Sequence, residues 1–357
     1  MHPSPRRGRT SAIVLITVAV AVAACGAPPS TPTFASTTEP TAWVEGPAGA
    51  PPSTAAPSPT ASLLPSPKLA RRDLRDAVEA IDIRGHLEEL QRIADAHDGN
   101  RATGTSGFDA SVEFVADRLS AAGYAVIRQD FAVGELSSVN LLAERSGADS
   151  EVVIFGAHLD SVAAGPGIND NGSGVATLLV IAERLAELPA PGRTVRFAFW
   201  GAEEGGPHGS QVYVDALEAA ERGRIVGSLN FDMLGSPNAI RFVYDESGAA
   251  PGSAALTELF TSAFEDASLA WEPIDLEGDS DHGPFTDAGI PTGGLFSGGI
   301  EPKTDSQATT FGGNAGEPAD ACSHRACDRI DNVNLGALEQ MADAIAHVLV
   351  MIATDPT

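Results

Sequence analysis

Residues 152–174, VVIFGAHLDSVAAGPGINDNGSG, constrain this chain more than any other stretch. The apolar run at 152–157 is short and ends against a glycine-rich turn, the pattern of a buried strand. Over residues 175–188 apolar side chains recur at three- and four-residue steps, the pattern of a helix. The junction carries His158, Asp160 and Asp170. In open α/β sheets, ligands bind at the carboxyl ends of the strands, which is where these side chains fall. A lone His at a strand end is more often a hydrogen-bonded structural residue than a ligand. The argument therefore turns on what the other strand ends deliver.

Residues 194–200, TVRFAFW, are β-branched and aromatic and predict a strand that ends in Gly201-Ala202-Glu203-Glu204. A strand over 225–231 ends in Asp232-Met233. Further strands are expected at 124–131, 139–144, 241–244 and 290–296. Helices are expected at 84–97, 109–122, 210–217, 254–267 and 335–352. Residues 280–285 read as a loop. Residues 301–321 are polar and contain glycine, so they read as a surface loop leading to Cys322-Ser323-His324-Arg325-Ala326-Cys327. Alternating strands and helices predict an α/β domain, with a mostly parallel central sheet covered on both faces.

The strand ends and loops together hold His158, Asp160, Asp170, Glu203, Glu204, Asp232 and His324. Adjacent carboxylates repel unless a cation lies between them. Two imidazoles and several carboxylates, without a thiolate, suit zinc or a similar divalent ion in a hydrolytic site. A binuclear site needs a bridging carboxylate, terminal ligands on each side, and metals about 3.5–4 Å apart. One further carboxylate must stay off the metals to act as general base.

The ends of the chain set its address. Arg6, Arg7 and Arg9 precede an apolar run of 14 residues at 11–24. About 20 residues are needed to span a bilayer, so the run reads as a signal peptide, residues 1–24. It closes on Val22-Ala23-Ala24-Cys25, which resembles a bacterial lipobox with lipid attached at Cys25. Residues 25–68 are rich in Pro, Ser, Thr and Ala and bury too little to fold, so they read as a disordered tether. The catalytic domain is expected over 69–357. Formal net charge is −26, and −29 once the three arginines leave with the signal. Such acidity argues against nucleic acid and against contact with anionic membranes other than through the lipid. Cys322 and Cys327 are the remaining cysteines. In an oxidising compartment they are expected to pair, since a cysteine zinc site wants more thiols.

The motifs HLDS, GINDNGSG, WGAEE, NFDMLGS, SDHGPF and CSHRACD, in that order, resemble metallopeptidase family 28 in its small secreted double-zinc aminopeptidase form. The likeness runs over residues 83–350. It implies a three-layer α/β/α sandwich around a mixed, mostly parallel sheet. It implies that His158 and Asp232 hold one zinc, that Glu204 and His324 hold the other, and that Asp170 bridges them. It further implies Glu203 as general base, Asp160 as the acid that orients His158, and a cis peptide bond at Asp170-Asn171. Phe296 and Met233 match residues lining the pocket for the substrate's first side chain, expected to be large and hydrophobic. The substrate is then a peptide with a free N-terminus and the enzyme a monomer.

Two positions depart from the family pattern. Ser323 stands where a tyrosine usually helps the oxyanion. The loop at 277–281 is short and lacks an arginine found in relatives. Calcium stays open, because Glu339 and Asp343 lie one helical turn apart while the early aspartate expected in calcium-binding relatives aligns with Ala77. His282 is expected to structure its loop rather than bind zinc, and His86, His97, His208 and His347 to be surface or helix residues. The alternatives are a carboxypeptidase or glutaminyl cyclase-like enzyme on the same fold, or a binding module without catalysis. A carboxypeptidase needs a basic clamp, which the motifs do not offer.

Overall fold

The computed structural model describes residues 74–245 and 250–354. Cys25, the signal segment 1–24 and the tether 25–68 lie outside the described residues.

Helices α1 (Ala80–Ala96) and α2 (Ser106–Ala121) precede a hairpin of β1 (Val126–Val133) and β2 (Leu136–Arg145). The chain then alternates through β3 (Val152–His158), α3 (Gly172–Glu187), β4 (Thr194–Trp200), α4 (His208–Asp215), α5 (Ala219–Arg222) and β5 (Ile225–Asp232). It continues as β6 (Phe242–Tyr244), α6 (Ser253–Asp266), β7 (Glu272–Ile274), α7 (Gly283–Asp287), β8 (Thr292–Phe296), α8 (Asp305–Phe311) and α9 (Leu335–Thr354). All eight strands join one sheet in the order β1-β2-β4-β3-β5-β8-β6-β7. The four inner strands β4, β3, β5 and β8 are mutually parallel, while β1–β2, β2–β4 and β6–β8 pair antiparallel.

The period of two along the strands divides the core into two layers. Val153, Phe155 and Ala157 of β3, with Val195, Phe197 and Phe199 of β4, pack under α1, α2, α3, α6 and α9. Val152 and Ile154, with Ala198 and Trp200, face a smaller cluster built from Tyr213, Val214, Phe285 and Ile290. Both faces of β3 and β4 are therefore covered, which is why these strands are largely apolar, with Thr194 and Arg196 of β4 and His158 of β3 as the polar positions. The result is the α/β/α sandwich expected. Helix α9 is long and apolar enough to cross a membrane, with a mean hydropathy of 1.4, but two-thirds of that window is buried in this core. It is the core helix of the large layer.

Three expectations need correction. Residues 283–285, read as part of a loop over 280–285, open α7. The polar segment 301–321 contains α8, started by a capping box in which Thr304 and Gln307 bond each other's backbone. The short strand β7 was not expected; it pairs beside β6 at the sheet's edge, where Pro273 costs no ladder bond.

Candidate metal centre

Strands β4 and β5 flank β3 on opposite sides. Their carboxyl ends therefore meet at one crevice, the switch point at which open α/β sheets bind ligands. His158 ends β3 and Asp232 ends β5, while Glu203 and Glu204 follow β4. Asp170 arrives from the turn before α3, and His324 from the loop at 322–327.

These side chains form two groups in which ligand atoms lie within 4.8 Å of one another: His158, Asp170 and Asp232, and Asp170, Glu204 and His324. Asp170 belongs to both. His158 Nε2 faces Asp170 Oδ1 at 3.5 Å, Asp232 Oδ1 at 3.4 Å and Glu203 Oε2 at 3.7 Å. His324 Nε2 faces Asp170 Oδ2 at 3.2 Å and Glu204 Oε2 at 3.1 Å. The buried atoms His158 Nε2 and Asp232 Oδ1 make no hydrogen bond. Buried polar atoms are normally satisfied, so a pair of them converging on one point fits a cation. An all-nitrogen and oxygen donor set fits zinc. Among the described residues no third such group occurs, Glu339 and Asp343 included.

Two asparagines set Asp170 in place. Asn169 donates its backbone N–H to Asp328 Oδ1 at 2.8 Å and its side-chain amide to Asp320 Oδ2 and Ser236 Oγ, and accepts from Gly235 N. Asn171 caps α3 by accepting from Gly174 N, and donates to the Phe231 carbonyl on β5. Asp170's own N–H reaches Asp328 Oδ2 at 3.0 Å, and the Asp170-Asn171 bond is cis. Ser323 donates its hydroxyl to Asp170 Oδ2 at 3.1 Å. Ser323, expected to stand where relatives carry a tyrosine, is thus engaged by the shared carboxylate.

Asp160 holds the other side. Its Oδ1 accepts from Glu203 N at 3.0 Å, and its Oδ2 from Glu204 N and Thr103 Oγ1. His158 Nδ1 lies 3.2 Å from the Asp160 carbonyl oxygen and 3.7 Å from its carboxylate. Asp160 therefore orients the two glutamates at least as directly as it orients the histidine. Beneath them Arg101, fully buried, donates to the carbonyls of Leu159 at 2.5 Å, Pro166 at 2.9 Å and Gly167 at 2.6 Å. Gly165 and Gly167 complete this loop. A Cβ at Gly165 would meet the Arg325 carbonyl oxygen at 2.1 Å, and Gly167 has φ +60°. The sequence reading singled out neither the capping role of Asn171 nor Arg101, Asp320 and Asp328.

Ala202, Met233 and His324 all have left-handed φ, at 58°, 47° and 58°. One precedes the glutamates, one follows Asp232, and one is itself in the second group. Non-glycine residues hold this conformation only where their surroundings enforce it. The disulfide Cys322–Cys327 closes a ring around His324, with the two Cα atoms 5.2 Å apart.

The electrostatics follow from crowding. Burial, against the pull of His158 and with the push of Asp281 and Asp232, lifts Glu203 well above the usual carboxylate range. Burial also opposes the charge on Asp170, but hydrogen bonds from His158 and His324 hold it well below its ordinary value. Hydrogen bonds from Asp170 and Glu204 raise His324 to about 10. Burial raises Asp328 and Asp281 to about 7 each. Ser210 donates to Asp281 at 2.6 Å. His282 is buried against the Tyr244 ring and belongs to neither ligand group. His86 is buried against Glu183 rather than at the surface.

A cavity of about 940 Å³ opens beside Ser323 and His324. Phe296 lines it, stacked on Phe242 with ring centroids 6.2 Å apart. Met233 is buried in its turn and is not among the lining residues. Arg325 is among them, although the sequence motifs showed no basic clamp.

Residues 140–349 match Peptidase family M28, more than half of the chain, and the chain belongs to that family. Leupeptin-inactivating enzyme 1 of Streptomyces exfoliatus is 43% identical over 272 residues, 75% of this chain and 60% of that protein. The Mycobacterium tuberculosis protein named "Probable lipoprotein aminopeptidase LpqL" is 42% identical over 228 residues, 60% of this chain and 46% of that protein. A zinc aminopeptidase from Bacillus subtilis shares the fold, with a TM-score of 0.67 at 18% identity over 78% of this chain and 97% of that one. The matches span between 40% and 60% of the lengths of these and other curated relatives.

Proposed function

We propose that the chain is a two-zinc aminopeptidase that removes the N-terminal residue from peptides. The observation that carries this reading is a shared carboxylate with a spare one beside it. Asp170 belongs to both ligand groups, and Glu203 stands next to them without belonging to either. His158 and Asp232 would hold one zinc, Glu204 and His324 the other, with Asp170 between. When bound, the pair would acidify a water and polarise the scissile carbonyl. Glu203 takes the proton from the attacking water and passes it to the leaving amine nitrogen. Its burial among other acids gives it the basicity for that task. Asp160 keeps Glu203 aimed through the bond to its N–H. The substrate's α-ammonium group is drawn to the same acidic crevice, which confines cleavage to the first residue.

The test is hydrolysis of aminoacyl anilides beside N-acetylated and C-terminal reporter peptides, with and without chelator. Cleavage confined to free N-termini and abolished by chelator is expected. Equal cleavage of N-acetylated substrates would overturn the reading. Arg325 in the cavity favours a second reading, a carboxypeptidase of the same fold, and the C-terminal reporters decide it.

We further propose that Cys25 carries a lipid anchor, which the name of the Mycobacterium tuberculosis relative supports. A Cys25→Ser variant should be released from the cell envelope; retention at the wild-type level would defeat the proposal.

A further inference from the structure

The aminopeptidase reading leaves the identity of the first residue open, and the cavity beside His324 bears on it. Its walls are Ile240, Phe242, Ile274, Leu276, Phe296 and Ile300. Phe296 pairs in register with Asp232, so the apolar wall starts one strand from the ligand group. Such walls suit the large hydrophobic side chain that the family pattern implies. They are not the whole lining. Asp275, Asp279 and Glu301 also face the cavity, against one guanidinium, Arg325.

One of these carboxylates sits where a long side chain ends. Glu301 Oε2 and the tip of the Phe296 ring, Cζ, both lie 3.5 Å from the point a Cβ on Gly299 would occupy. A methylene stem lying along Phe296 therefore runs toward a carboxylate. Asp275 accepts the backbone N–H of Glu277 at 2.8 Å, and Asp275 and Asp279 both act on the buried His282 imidazole, while Glu301 is exposed. Lysine and arginine have the matching build, an apolar stem with a cationic head that packs well over aromatic rings.

We propose that this cavity selects a basic first residue, lysine or arginine, over an uncharged one of the same length. The proposal rests on the aminopeptidase reading. The carboxylates are solvent-exposed, so each contributes modestly, up to about fivefold in selectivity.

The experiment compares kcat/KM of the zinc-loaded protein for lysyl, norleucyl, leucyl and glutamyl anilides. Norleucine carries lysine's stem without its charge. The lysyl-to-norleucyl ratio should exceed one, should shrink as salt rises, and should fall up to about fivefold in Glu301→Gln. It should fall further in a variant that also carries Asp275→Asn and Asp279→Asn. Because a ratio is read, a general loss of fold or metal cancels. A ratio at or below one, or one indifferent to the three substitutions, would overturn the proposal. So would a preference for the glutamyl substrate, which would put Arg325 in control. Failure to cleave any anilide while C-terminal reporters are cleaved would instead overturn the aminopeptidase reading and this inference with it.

Discussion

The two ligand groups share Asp170 yet are built by different means. His158 and Asp232 end neighbouring positions of a parallel sheet, and the His158 side chain is 1% exposed. Their placement comes with the core, because moving either strand end would disturb Phe155, Phe231 and the helices packed on them. The His324 side chain is 61% exposed and sits in a six-residue ring closed by the disulfide, outside the strands. Its position depends on the disulfide, on Ser323, and on Asp320 and Asp328 at the ring's two ends. The contrast teaches that a paired set of ligand groups can be half scaffold and half loop, with one carboxylate joining them.

The sharpest break of that symmetry is at the joint itself. Asp170→Ala removes a ligand from both groups and should lower zinc content and abolish measurable turnover. Glu203→Gln should keep the zinc and lose on the order of 10²–10⁴ in kcat, since only proton transfer is removed. Metal analysis and steady-state rates on the two variants check this; equal zinc content in both would contradict the division of roles.

A smaller effect separates the halves. His324→Ala should lose one zinc with little change in thermal midpoint, because an exposed side chain on a loop leaves the core intact. His158→Ala should lose zinc and also destabilise the fold, as it empties a buried position beneath the sheet's end. Zinc content and midpoint measured together on both variants test the comparison.

The smallest effect concerns the ring. Opening it with Cys322→Ser and Cys327→Ser removes little closure entropy, so global stability should fall by only about 2 kcal/mol. Zinc affinity of the more exposed group should fall more noticeably. A large drop in midpoint with unchanged zinc affinity would show that the bridge staples the fold rather than the centre.

What the sequence made legible is the half that local pattern controls. The strand over residues 194–200 and the apolar run before His158 announce themselves through β-branched and aromatic residues and the turns that end them. Each ligand candidate then falls at a strand end or a turn, and the structure brings all five together. What stayed hidden are contacts made across long stretches of chain. Arg101 reaches carbonyls more than fifty residues away, and Asp328 binds the backbone of Asn169 and Asp170 from the far end of the domain. No periodicity or turn signal marks such pairs. Helix α8 escaped for a different reason: it has no buried residues, so its apolar stripe is absent and only the Thr304–Gln307 cap betrays it.

Arg101 has a consequence for how the centre is filled. Burial lowers its guanidinium only to about 10, so it stays charged through the physiological range. It is a cation that neither dialysis nor a chelator removes. The loop it pins, from Leu159 to Gly167, runs between His158 and Asp170, one ligand from the deeply set group and the one common to both. When the ions leave, this permanent charge still offsets part of the carboxylates' mutual repulsion, and the loop keeps its course. On the proposed two-zinc reading, the loop's course is therefore set by the chain itself, and loading the centre should need no refolding.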